Sequence, residues 1–146
     1  DPMKALSIRE PYAAAIIAGG KTVEFRTWSP GKTTEMLIIC SSAYKSPEIG
    51  KYLPSGIAMC IATISAVTSE EDEDGVYFAW QLTDIKPVKP FKVKGKLHFF
   101  DMPDDQIELL PGISPEKYFA DLAECGIIEP MPPGLLDELS DQSIFM

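Results

Sequence analysis

Between residues 3 and 100 only one segment, EPYAAAIIAGG, reads as more than a short helix, and it is set among five or six strand-like runs. That ratio constrains the fold more than any other feature, because the core must then be built mainly from sheet. The helix body from Tyr12 to Ala18 is apolar all round, so it has to be buried on more than one side. Its alanines allow a close backbone approach. Glu10 lies near the helix N-terminus, where the dipole favours an acid, and Pro11 is tolerated in a first turn. Gly19 or Gly20 supplies the left-handed stop.

MKALSI alternates and reads as the first strand. In TVEFRTW, Val23 and Phe25 face one way and Glu24, Arg26 and Trp28 the other. SPGKT is a turn, EMLIICS a buried strand, SPEIGKYL a short helix at most, and GIAMCIATISAVT a long strand with room for a bend. SEEDEDG reads as an acidic loop, followed by the strand VYFAWQLTDI. KPVKPFKVKG holds two prolines that favour an edge or an extended link, and KLHFF reads as another strand.

The texture changes after residue 100. PDDQIELL and SPEKYFADLAECG read as helices, the second with Ser114, Pro115 and Glu116 as a start signal. The last 20 residues read as a packed tail with one short helix. A chain of 146 residues fits one domain. The expected fold is α+β and mainly β: a small closed or nearly closed β-barrel over residues 3–100 with peripheral helices. Residues 101–146 form a helical extension packed on the same domain.

The net charge of −9 argues against a nucleic-acid partner, but its distribution does not. Residues 1–60 carry net +2, residues 61–80 net −5, residues 81–100 net +4 and residues 101–146 net −10. The acidity is concentrated in one loop and the C-terminal third, which leaves a local basic surface available. No apolar run reaches the roughly 18 residues of a membrane span, and the N-terminus enters a strand pattern with no signal peptide. Cys40, Cys60 and Cys125 are far apart in sequence, and His98 is the single histidine. That set fits buried free thiols in a cytoplasmic protein and makes no Cys/His zinc site, so neither metal nor cofactor is expected.

Charges crowd the segment GGKTVEFRTW. Glu24 and Arg26 lie on one strand face, roughly 6.5–7 Å apart at Cα. They form an ion pair, or line a cleft in which Glu24 accepts from a base amino group and Arg26 holds a phosphate or carbonyl. Lys21 is a helix C-terminal cation, a phosphate contact, or a base if burial and Arg26 lower its pKa. Trp28, Tyr77 and Trp80 are core aromatics or stacking platforms. Tyr77 and Trp80 fall on opposite strand faces and cannot both face one cleft without a bulge. Ser41 and Ser42 end a buried strand, where they cap a helix or donate to a ligand. Lys86, Lys89, Lys92, Lys94 and Lys96 are solvated loop lysines or a rail for a phosphate backbone. The run Glu70 to Asp74 is a solvated loop whose spacing fits no EF-hand. His98 reads as a core histidine on an apolar strand.

The opening ALSIREPYAAAIIAGGKTVEFRTW resembles the ASCH domain, a relative of the PUA fold, whose hallmark is G-x-K-x-x-E-x-R. Gly19, Lys21, Glu24 and Arg26 match all four positions. IICSSAY, FAWQLTDIKPVKPFKVKGK and LHFF are similar to its later strands, so the resemblance covers roughly residues 4–100. It implies a PUA-like barrel with a cleft beside the helix and the motif strand, and RNA or nucleotide recognition. Some members are enzymes, one branch removing an acyl group from a modified cytidine and others being associated with ribonuclease activity. The amidohydrolase branch resembles GxKTxTxR, with a threonine, its proposed nucleophile, where Glu24 stands here. Thr22 could replace it only with shifted geometry.

Three readings follow. The first is a module that binds RNA or a modified nucleobase or nucleotide through Lys21, Thr22, Glu24, Arg26, Trp28, Ser41, Tyr77 and Trp80. The second is a nucleoside-directed hydrolase or ribonuclease with Lys21 and Glu24 as acid and base. The third is a protein-interaction module with an acidic tail.

Overall fold

A computed structural model describes residues 2–41 and 47–146. Six strands form one mixed sheet: β1 (Met3–Ile8), β2 (Val23–Arg26), β3 (Glu35–Cys40), β4 (Ile57–Asp72), β5 (Gly75–Pro87) and β6 (Phe100–Met102). Their order is β2-β5-β4-β3-β1-β6. The β1–β3 pair is parallel and every other pairing is antiparallel. The helices are α1 (Tyr12–Ala18), α2 (Pro115–Glu124), α3 (Leu135–Leu139) and α4 (Gln142–Phe145), with short 3-10 turns at Gly50–Tyr52 and Asp104–Gln106.

The sheet does not close into the expected barrel. Its edge strands are four-residue β2 and three-residue β6, and β6 reaches only Met3 to Ala5 of β1. Neither is long enough to complete a ladder with the other, so the sheet stays open. Among the described residues the outer edge of β1 beyond Ala5 has no strand partner, and this is where the motif arginine arrives.

The unbroken apolar run of β3 is explained by a core on each face. Met36, Ile38 and Cys40 join Ala13 to Ile17 of α1, Trp80, and Tyr118, Leu122 and Leu139 from the C-terminal helices. Leu37 and Ile39 face a smaller cluster with Ala5, Ala58, Val88 and Phe100. Ala13, Ala14 and Ala15 have no exposed surface, as their small size and all-round apolar context require. Glu10 Oε1 accepts from the Ala14 amide at 2.7 Å and so serves the helix start, while Gly19 ends α1 at φ 94°.

Several local expectations change. β4 runs on to Asp72, so Glu70, Glu71 and Asp72 belong to an exposed hairpin ladder with β5 rather than to a loop. Register shifts at Ile61/Thr63 and Ile64/Ala66 interrupt the β4–β5 ladder, the kind of irregularity that bends a strand. KLHFF is not a strand: His98 takes φ 57°, and β6 begins only at Phe100. PDDQIELL yields a single 3-10 turn because tertiary pairing captures its backbone. Lys89 donates its amide to the Glu108 carbonyl and Leu110 its amide to the Pro87 carbonyl. The tail holds two short helices, not one. Ser114 caps α2 by accepting from the Lys117 amide, as its start signal indicated.

Among the described residues no helix is long and apolar enough to cross a membrane. Cys40 and Cys60 are buried, whereas Cys125 at the end of α2 is exposed.

Candidate functional site

The αL stop at Gly19 turns the chain so that Lys21 re-enters the protein just before β2. Lys21 and Glu24 are only 7 % and 6 % exposed. Lys21 Nζ lies 3.1 Å from Glu24 Oε1 and donates to the Val23 carbonyl at 2.5 Å. Arg26 holds the other carboxylate oxygen, its Nε and Nη2 each 2.8 Å from Glu24 Oε2. Arg26 Nη2 also donates to the Ser7 carbonyl at 3.0 Å. Glu24 is thus a buried anion held between two cations, and the triad carries one net positive charge. A buried carboxylate with two charge-assisted partners keeps its side chain in one place.

Two cavities meet on Ser7, Arg9, Phe25 and Arg26. The smaller, about 520 Å³, is also lined by Ile8, Tyr12, Lys21 and Glu24. The larger, about 820 Å³, extends over Trp28, Cys40, Ser41 and the segment Val93 to His98. The carboxyl ends of the two parallel strands β1 and β3 therefore open into one cleft, the position where such strands commonly present ligand-binding groups.

The far wall is built from the link after β5. Its backbone runs along the start of β4, with the Ala58 amide donating to the Phe91 carbonyl and the Val93 amide to the Gly56 carbonyl. It then crosses Ser7 at Gly95, where any Cβ would collide with the Ser7 hydroxyl. At His98 the positive φ lays the imidazole against Trp28, 4.8 Å between ring centroids. His98 is exposed on this wall and is no core histidine. The Ser7 hydroxyl is buried and has no hydrogen-bond partner among the described residues.

Among the described residues, every charged residue lining the larger cavity is a cation: Arg9, Arg26, Lys94 and Lys96. Arg9, Lys94 and Lys96 form no ion pair among the described residues, so only Arg26 has its charge matched. This occurs in a chain of net charge −9.

Lys21, Glu24, Arg26, Trp28 and Ser41 therefore come together. Thr22 is exposed and lines neither cavity; its carbonyl accepts from the Leu82 amide in the sheet. Trp80 is fully buried and backs Trp28 edge-on at 5.1 Å, so it supports the wall without reaching the cleft. Tyr77 packs edge-on against Phe25 at 6.0 Å, on the hairpin side. Ser42 lies outside the described residues. Of the five lysines of the basic stretch, Lys94 and Lys96 face the cleft, while Lys86 pairs with Asp84 and Lys89 lines a different cavity.

Ser7, Arg9, Phe25 and His98 also line the cleft, beyond the residues expected from the sequence. For Arg9 a signal existed: a charge directly after the first strand and before the buried helix. None existed for His98, whose placement depends on a backbone turn that no local pattern announces. Among the described residues no group of three or more His, Cys, Asp or Glu side chains could hold a metal ion.

No curated protein matches the chain. Among solved structures, it is similar to the ASCH protein of Zymomonas mobilis, at 15% identity and TM-score 0.54, covering 72% of this chain and 90% of that one. A single-site variant of that protein matches at 14% identity and TM-score 0.54, over 86% of this chain and 99% of the other. At such identity the likeness is one of fold. The model of the ASCH domain family matches residues 6–127, most of the length described above. The chain belongs to the ASCH domain family.

Proposed function

We propose that this ASCH domain recognises RNA or a modified nucleobase or nucleotide in the cleft beside the G-x-K-x-x-E-x-R motif. One observation carries the reading: among the described residues, a strongly acidic chain lines this cleft with four cations and no carboxylate. A phosphate-bearing ligand matches that charge. Trp28, His98 and half-exposed Phe25 give a base flat surfaces on which to stack. Arg26 has a guanidinium fixed by Glu24 and Ser7 before any ligand arrives, which reduces the ordering cost of binding.

The same contacts favour binding over the hydrolase alternative. Lys21 engages Glu24 and the Val23 carbonyl, and Glu24 is held between Lys21 and Arg26, so neither is poised as a free acid or base.

The test is a thermal-shift screen against nucleosides, N-acylated and methylated nucleosides, nucleotides and short single-stranded RNAs, with chromatography of each mixture. A shift with unchanged ligand that is lost in Arg9→Ser/Lys96→Ala supports the reading. A Lys21-dependent product would favour the hydrolase, and no shift with any probe would overturn both.

A further inference from the structure

We infer that the cleft accepts one phosphorylated nucleotide, free or at the end of an RNA strand, and that the β4–β5 hairpin excludes a continuing strand; this presupposes the nucleotide-binding cleft proposed above. The charge reverses across one wall of the cleft. Phe25, Arg26 and Thr27 form a shared wall between the cationic cleft and a neighbouring concavity of about 440 Å³. The charged residues of that second concavity, apart from Arg26, are Asp72 and Asp74. Arg9, Lys94 and Lys96 lie only on the first side. A chain that leaves the cationic cleft past Phe25 therefore brings its next phosphate to two carboxylates.

The hairpin fixes the Asp72 carboxylate and places Asp74 beside it. The hairpin ladder runs to the Asp72–Gly75 pair, and Asp72 Oδ1 accepts from the Asp74 amide at 2.8 Å. Glu70, Glu71 and Glu73 complete a run of five exposed acids. A Debye length of about 8 Å at physiological salt confines the repulsion to the neighbourhood of the hairpin. It therefore leaves a phosphate beside Arg9 and Lys96 held and penalises the next one. A rail for long RNA would need the opposite arrangement, with cations on both sides of the wall.

The experiment uses the full chain and mixed-sequence single-stranded RNAs of 2, 5, 10 and 20 nucleotides, with nucleoside monophosphates as competitors and a covalently closed 20-mer. Affinity is measured over a salt series. Single strands give a slope of log K against log salt of about −0.7 per phosphate engaged. The expected slope is the same for the 2-mer and the linear 20-mer, and the closed 20-mer binds at least tenfold more weakly. Competition by a monophosphate assigns a free nucleotide as ligand, and its failure assigns a strand end. In Asp72→Asn/Asp74→Asn, whose side chains keep the turn acceptor, the 20-mer slope steepens while the 2-mer slope does not. A slope that steepens with length in the native protein, or a double variant without effect on the 20-mer, overturns the inference and leaves the nucleotide cleft standing. Absence of binding by every probe removes the nucleotide cleft itself.

Discussion

Arg26 Nη2 donates to the main-chain carbonyl of Ser7 at 3.0 Å, so a side chain crosses the gap that a closed barrel would fill with a backbone ladder. Among the described residues the outer edge of β1 is paired only as far as Ala5. Beyond it, the cleft occupies the opening and Arg26 spans it. Arg26→Ala should therefore lower affinity for a nucleotide by about 10–100-fold, the range of a lost charge-assisted hydrogen bond. The fold should survive, because Glu24 keeps Lys21 as partner. Arg26→Lys retains charge but presents a point donor in place of a fork, and should recover only a minor part of the affinity. Calorimetric titration with thermal unfolding of each variant checks both statements.

Glu24 behaves differently, because it is the only anion of the triad. Removing it leaves Lys21 buried beside Arg26 with no counter-charge. Glu24→Ala should cost about 3–5 kcal/mol of stability. Replacing both partners by apolar groups, as in Lys21→Met/Glu24→Leu, should cost clearly less than Glu24→Ala alone. Urea unfolding of Lys21→Met, Glu24→Leu and the double variant measures the coupling, with Glu24→Ala compared beside them; simple additivity would refute the buried-charge account.

Trp28 lines the cleft and Trp80 is fully buried behind it. A bound base should quench or shift the fluorescence of one tryptophan only. Trp28→Phe should abolish that response, whereas Trp80→Phe should keep it at a stability cost from lost core packing. A ligand response that persists without Trp28 would place the base elsewhere.

What the sequence made legible is what local chemistry determines. Lys21, Glu24 and Arg26 could be grouped because Gly19 stops the helix and a strand alternates its faces. The opposite facing of Tyr77 and Trp80 follows from the same period of two, and Tyr77 duly meets Phe25 while Trp80 enters the core. Barrel closure was not legible, since it depends on which distant strands are long enough to pair. PDDQIELL carries helix-like chemistry, yet the amide of Lys89 and the carbonyl of Pro87 draw it into bridges. Lys94 and Lys96 could be recognised as basic, but only the crossing of Gly95 over Ser7 turns them to the cleft.

The cysteines give a prediction with a defined sign. Burial pushes the Cys60 thiol well above the usual range, with the Cys40 thiol and Glu10 adding to the effect. The folded protein keeps this proton where the unfolded chain, with an ordinary thiol near pKa 8.5, loses it. The contribution to stability is thus complete below about pH 8.5 and is lost progressively as pH rises above it, with a slope of at most about 1.4 kcal/mol per pH unit. Urea midpoints at pH 7.5, 8.5 and 9.5 should fall in the native protein, and less steeply in Cys60→Ala. At pH 7.5 a thiol reagent should label Cys125 alone without denaturant, since Cys40 and Cys60 are buried.

Gly20 ties the motif to the C-terminal helices. A Cβ at Gly20 would collide with the Leu139 carbonyl, and Gln142 Nε2 donates to the Gly19 carbonyl at 3.3 Å. Phe145 packs edge-on against Tyr12, which lines the smaller cavity. Because the obstacle at Gly20 is backbone, Gly20→Ala must displace the end of α3, at a cost of about 1–3 kcal/mol. Hydrogen exchange should quicken across residues 135–146, and the environment of Tyr12 and Lys21 should change with it. Gly112→Ala is a suitable control: φ 73° there strains any side chain, but a Cβ would meet nothing within 4 Å. Loosening confined to residues 110–114 in the control, and to the tail and motif in Gly20→Ala, identifies the Leu139 contact as the link. Equal protection of residues 135–146 in Gly20→Ala and the native protein would show that the tail does not bear on the motif.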